Sequence, residues 1–221
     1  MATQLGVYQH ALRLLGERRV ASLSEDREPR RVLDDAYADV VELCLGQGMW
    51  SFAMRLRTVT KTDKGNFDFA SMFIRPDDVL HVYKVAKTRD FQPENLLVHD
   101  FADTGGFWYA DVDTLYVLHT SDDADFGGDL ARWPQAFTFY VAATLASECA
   151  HRLTSSIEIA NYCEQMAQLR YANALSILQV DGTLGMLPKD AEAKNPARLA
   201  ATHEPARFMG FAPRLPRGGG A

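Results

Sequence analysis

The spacing of apolar residues changes twice along this chain, and that change limits what it can fold into. At both ends they recur every three or four positions, as on one face of a helix; between about residues 50 and 120 they recur every second position, as along a strand. Leu5, Tyr8, Leu12 and Leu15 share one helical face that Gly16 can end, which predicts a helix over 3–16. Ser24-Glu-Asp-Arg-Glu-Pro29 carries helix-start signals: a capping serine, early acids and a proline suited to a first turn. Val32, Ala36, Val40 and Leu43 continue one face to Gly46 and Gly48, predicting a second helix over 27–46.

Period two begins where Phe52, Met54 and Leu56 alternate with Ala53, Arg55 and Arg57. Val79 to Val85, Leu96 to Val98, Phe107 to Tyr109 and Leu115 to Leu118 are further strand candidates, separated by turn-rich pieces such as Asp63-Lys-Gly-Asn and Asp103-Thr-Gly-Gly. Helical spacing returns with Trp133-Pro134, then Phe137, Val141, Leu145 and Cys149. Thr154-Ser-Ser156 breaks the pattern, and Ile159, Tyr162, Met166 and Leu169 resume it on one face. These residues predict helices over 131–153 and 156–181, packed as an antiparallel pair. The expected fold is α+β and mainly α: a bundle of about four helices, two from each end of the chain, with a small antiparallel β region inserted at about 50–120.

Charge divides the 221 residues differently. Residues 1–182 hold 17 basic and 26 acidic side chains, a balance of −9, whereas 183–221 hold 6 and 3, a balance of +3. Five of the nine prolines also fall in that second stretch, which suits neither a long helix nor a central strand. The expected organisation is therefore a folded domain over 1–182 and an extended basic arm over 183–221. With Leu199, Phe208, Met209, Phe211 and Leu215 as apolar points, the arm could order on a partner. With 47% hydrophobic residues the chain can bury a core, no apolar run approaches the roughly 18 residues of a membrane span, and no secretory leader is evident, so a soluble protein is expected. Cys44, Cys149 and Cys163 lack CxxC spacing and read as buried, reduced thiols.

The chemistry-bearing motifs are sparse. GxxxxGK[ST], GxGxxG, HExxH and GxSxG are all missing. His10, His81, His99, His119, His151 and His203 stand singly, without the paired short spacing of zinc ligands. Asp123-x-Asp125-x-Gly127 with Asp129 is the nearest approach to a calcium loop, but Pro134 occupies the position that needs the final acid. Asp34, Asp35, Asp77, Asp78, Asp111, Asp113 and Glu148 could supply acid and base for glycoside hydrolysis, yet no spacing selects a pair, and Glu148 can equally pair with Arg152. A folded part at −9 argues against tight DNA binding, although basic groups cluster at Arg18, Arg19, Arg27, Arg30 and Arg31, and at Arg55, Arg57 and Lys61. No cofactor, metal or catalytic residue is expected.

Read in order, Ala11-Leu-Arg-Leu-Leu-Gly-Glu17, Ala21-Ser-Leu-Ser-Glu-Asp26, a helix ending at Leu45, Trp50-Ser-Phe-Ala53 and Met54-Arg-Leu-Arg57 form a pattern. This order resembles the tail tubular protein A family, the head-to-tail adaptors of short-tailed bacteriophages. Phe73-Ile-Arg-Pro76-Asp-Asp78-Val is similar to the family's step into a strand, with Arg75 where leucine usually stands. Phe126, the Trp133-Pro134-Gln-Ala-Phe137 helix start, Leu145-Ala146 and Tyr171-x-x-Ala174 complete a resemblance over roughly residues 5–180. Its structural markers are Leu15, Gly16, Trp50, Phe52, Ala53, Pro76, Asp78, Trp133, Pro134 and Phe137, with Trp50 and Phe52 expected in the core.

The resemblance implies a non-enzymatic virion protein: a dodecameric ring of this chain beneath the portal protein, extending the DNA channel and carrying a nozzle similar to tail tubular protein B. Double-stranded DNA would pass without specific binding, and no membrane would be involved. By analogy, the arm would dock on the portal through Lys189, Lys194, Arg198, Arg207, Arg214 and Arg217, with Phe208 and Phe211 as apolar anchors. Two other classes fit the same residues: a tail-associated cell-wall hydrolase using acids such as Asp77, Asp78 and Glu148, and a non-viral α+β binding module.

Overall fold

The computed structural model describes residues 1–65 and 68–180. Helix α1 spans Gln4–Leu14, opened by Thr3, whose hydroxyl accepts from the Gly6 amide at 3.1 Å. It ends where Gly16 takes a φ of 73° and the Glu17 amide reaches back to the Leu12 carbonyl at 2.9 Å. Helix α2 spans Glu28–Gly46 with Pro29 in its first turn. Arg27 occupies its N-cap without a side-chain bond, and the Ser24 hydroxyl pairs with Ser22 instead of capping.

Helix α3, Gln135–Thr154, is the centre of the helical part. Its buried residues, among them Phe137, Tyr140, Val141, Ala142, Leu145, Ala146, Cys149 and Ala150, occur on nearly every side, because α1, α2 and a fourth helix all pack against it. That fourth helix, α4, spans Ile157–Val180 and turns back after Ser155, which adopts a left-handed φ of 52°. Alanine and cysteine at Ala160, Cys163 and Ala174 form its buried face, so it can lie close to the alanines of α3. Residues Leu130–Arg132 form a 3-10 turn and Pro134 stays extended, which delays α3 to Gln135 rather than 131.

Between α2 and α3 lie seven strands: β1 Met54–Thr60, β2 Asp63–Lys64, β3 Ser71–Ile74, β4 Val79–Ala86, β5 Phe101–Thr104, β6 Phe107–Ala110 and β7 Thr114–Ser121. They form two antiparallel sheets, ordered β1-β7-β4 and β2-β3-β6-β5. Phe73 opposite Trp108 in one sheet, and Val85 opposite Val117 in the other, contribute to a single buried cluster with Val79, Leu97, Ala110 and Leu115. The sheets thus share a second apolar core. Leu80 joins β4 to the helical core, against which Phe52 also packs.

This architecture corrects the expected fold. The chain is not a mainly α bundle with a small β insertion: among the described residues four helices accompany two antiparallel sheets of seven strands, and the β part has its own core. The excess strands are short. Ser71–Ile74 and Phe101–Thr104 have four residues each, too few for alternation to stand out from a turn-rich sequence. Leu96–Val98, by contrast, is not a strand: it follows the 3-10 turn Pro93–Asn95 and makes only an isolated bridge from Leu96 to Ala86.

Candidate functional site

The helix-to-sheet junction is assembled around Phe137, in the first turn of α3. Trp50 and Phe52 each place a ring centroid 4.9 Å from it, and Trp133 places one at 5.0 Å, all edge-on. Backbone carbonyls fix the two indoles: Trp50 Nε1 donates to Cys44 at 2.9 Å, and Trp133 Nε1 to Gly127 at 2.7 Å. Gly127 must remain glycine, since a Cβ there would stand 2.4 Å from the Ser121 carbonyl oxygen and 3.1 Å from Leu45 Cδ2. Tyr83 on β4 donates to the Gly48 carbonyl at 2.7 Å, and Tyr171 on α4 to that of Gln47 at 2.8 Å. The α2–β1 connection is therefore held from both the sheet and α4.

Beside this junction, Asp78 accepts from Arg55 and Arg57, both at 2.9 Å, and from the Ser121 hydroxyl at 2.6 Å. Burial opposes its charge, but the Ser121 hydrogen bond and the guanidinium groups outweigh it and hold the carboxyl below the usual range. A carboxylate held ionised in this way is a poor proton donor at neutral pH. Arg55 also reaches Asp123 at 3.0 Å and lies over the Phe126 ring at 4.6 Å, which pins the acidic loop to β1. His119, beneath these arginines on β7, is buried with Nδ1 3.1 Å from the Thr120 carbonyl. Burial lowers its pKa below the usual imidazole value, which favours the neutral ring.

The remaining expected positions are spread out. Asp123 and Asp129 spend their oxygens on the Asp125 and Ala131 amides at 2.9 Å, and no group of three metal-binding side chains occurs among the described residues. Asp34 accepts from Tyr8 and Arg30, Asp111 from the Ala70 amide, and Asp113 pairs with Lys61. Arg152 lies 3.8 Å from Asp35. Cys44, Cys149 and Cys163 are buried free thiols. Leu15 and Ala53 are buried, and Gly16, Pro76 and Pro134 occupy turns or extended backbone. No described helix is long and apolar enough to cross a membrane. The arm residues Lys189, Lys194, Arg198, Arg207, Phe208, Phe211, Arg214 and Arg217 lie outside the described residues.

No family model and no curated protein matches the chain.

Two surfaces that periodicity alone did not separate from the core are evident. Tyr162, Met166, Leu169, Asn173 and Ile177 follow one another by steps of four, three, four and four along α4, yet Tyr162, Leu169 and Ile177 are 49%, 61% and 38% exposed. Arg170 borders this stripe and lies over Phe139 of α3, 5.3 Å from the ring centroid. His10 of α1 stacks on the same ring at 4.4 Å and accepts from Arg13 at 2.7 Å. Burial, followed by Arg13, Arg170 and Arg19, lowers the His10 pKa, which keeps it the neutral acceptor that Arg13 needs.

The second surface is on α2. Leu43, expected on the buried face with Val32 and Val40, is 46% exposed. With Asp39, Glu42, Gly46, Gln47 and Leu80 it lines a shallow depression of about 470 Å³. The signal that could have found it is the pair of acids, Asp39 and Glu42, flanking Leu43.

Proposed function

We propose that this chain is a structural virion protein, a subunit of a head-to-tail adaptor ring that binds beneath a portal protein, extends the DNA channel and carries the tail nozzle. The observation that supports this most directly is the convergence at Phe137. Trp50, Phe52, Trp133 and Phe137 carry the resemblance to the tail tubular protein A family from segments some eighty residues apart, and they form one aromatic cluster. These pieces meet in space and build one junction between helices and sheet. The apolar stripe on α4 supports the assembly part of the reading, because contiguous apolar surface outside a core marks contact with another molecule.

Portal docking through the basic arm, Lys189 to Arg217, belongs to the same proposal. Native mass measurement of the chain, alone and with its portal, tests it. A stoichiometric ring on the portal is the expected outcome, and a chain that stays monomeric in the presence of the portal refutes the adaptor reading. A truncation ending at Gly182 should lose portal affinity; full affinity would remove the arm from the interface.

A further inference from the structure

Helix α4 has apolar side chains on two sides. It packs on the helical core through Ala160, Cys163 and Ala174 with Ile159, Tyr171 and Leu175 beside them, while Tyr162, Leu169 and Ile177 face solvent. Burying those three would gain far more than the inner alanines do, since the gain scales with apolar area. Arg170 follows Leu169 of the stripe and lies over Phe139, and Arg13 bonds His10, which stacks on the same ring; neither arginine makes an ion pair with a carboxylate among the described residues.

The outer side of α2 has the opposite character. Asp39 and Glu42 are exposed and make no ion pair among the described residues, and they flank exposed Leu43 at a depression floored partly by Leu80. One surface is apolar with Arg13 and Arg170 unpaired at one side and Glu158, a turn before Tyr162, at the other, and the second is apolar with Asp39 and Glu42 unpaired. Helices α2 and α4 each pack against α3, and each leaves these side chains exposed on its outward face.

We propose that these faces are the two halves of one repeated contact: the α4 stripe with Arg13 and Arg170 seats on the Asp39, Glu42 and Leu43 surface of the next copy of the same chain. The contact rests on the ring reading above and names its surfaces. Because the two patches differ, the contact is heterologous, joining copies head to tail and producing a ring when the rotation closes. Apolar burial at its centre supplies affinity, and the flanking charges fix which face meets which.

The test uses charge reversal in the full chain, with the portal present and subunits per portal counted by native mass measurement. D39R/E42R should lose the ring or weaken it by about tenfold or more, because arginine would then face arginine. R13E/R170E should do the same by opposing acids. Equimolar mixing of the two variants should restore a ring of alternating copies, because arginine then faces acid at every contact, and the variant that carries all four reversals in one chain should restore ring formation by itself. Circular dichroism and melting temperatures establish that all variants fold, with a small loss allowed in R13E/R170E for the Arg170 contact with Phe139 and the Arg13 bond to His10.

Single-face reversals that leave the ring intact, or a four-fold reversal that fails to restore it, would overturn the pairing while the adaptor reading stands. Failure of the unaltered chain to form any ring on the portal refutes the adaptor reading. In that case the pairing survives only if concentrated chain self-associates in sedimentation and each single-face reversal abolishes this; absence of such association overturns it. Duplex DNA binding that is lost in R13E/R170E while rings persist would assign the arginines to phosphate and also overturn the proposal.

Discussion

Replacing Phe137 by alanine should remove a large part of the fold's stability. The side chain is buried against Trp50, Phe52 and Trp133, with ring centroids at 4.9, 4.9 and 5.0 Å, and Tyr140 at 6.1 Å. Truncating a buried phenylalanine costs about 3–5 kcal/mol in lost transfer free energy and residual cavity. The edge-on pairs add about 0.5–1.5 kcal/mol each beyond area, though they are not additive. Relaxation is restricted, because carbonyl hydrogen bonds hold the Trp50 and Trp133 indoles where they are. The upper half of the range, about 4–5 kcal/mol, is therefore expected, against total stabilities of about 5–15 kcal/mol for ordinary domains. Phe137→Leu keeps most of the volume and loses the ring geometry, so it should cost about 1–2 kcal/mol. Urea titrations followed by tryptophan fluorescence and by circular dichroism measure both variants. A Phe137→Ala loss below about 1.5 kcal/mol, or equal losses for the two variants, would refute the claim that this ring organises the junction.

Stability should fall in acid in two separable steps. His119 has a lowered pKa when folded, so the unfolded chain takes up a proton first and stability declines as pH drops below 6.5; His119→Phe should flatten that step in urea midpoints measured against pH. Asp78 has a lowered pKa, so its contribution is present above the unfolded value of 3.8 and is lost as pH falls below it; Asp78→Asn should lower stability at neutral pH and reduce the slope in that acid range. Burial raises the Cys44 and Cys149 thiols to about 11, and Cys163 is buried as well, so a thiol reagent at neutral pH should label all three only after unfolding. Rapid labelling of the native chain at Cys44 would contradict the packing of α2 on α3.

The helices were legible because each has enough turns for its period to repeat. Tyr8 and Leu12 on α1, Val32 and Val40 on α2, and Phe137, Val141, Leu145 and Cys149 on α3 all face the core. The β part was underestimated for the converse reason: strands of four residues offer two inward positions, which no periodicity can distinguish from chance. The two-sheet arrangement depends on pairings such as Phe73 with Trp108 that are distant in sequence. Asp78 stood in the sequence as one of several adjacent acids; what sets it apart is its place in the turn before β4, to which Arg55 and Arg57 of β1 and Ser121 of β7 are brought.

The α4 stripe shows a limit of a different kind. Ile159, Tyr162, Met166 and Leu169 lie on one helical face, and a periodic apolar face ordinarily locates the core. Here the core contact is made largely on another side of the helix, by Ala160, Cys163 and Ala174 with Tyr171 and Leu175, while Tyr162 and Leu169 of the periodic face are exposed. Periodicity reports that a face is to be buried; it does not report by what. A single folded chain leaves Tyr162, Leu169 and Ile177 in water, at a cost that burial elsewhere would remove. Leu43 between Asp39 and Glu42 poses the same problem with the opposite charge. Both departures from a simple core pattern are resolved together if each face is the other's partner on a neighbouring copy, and the four-charge reversal decides between that solution and two unrelated surface patches.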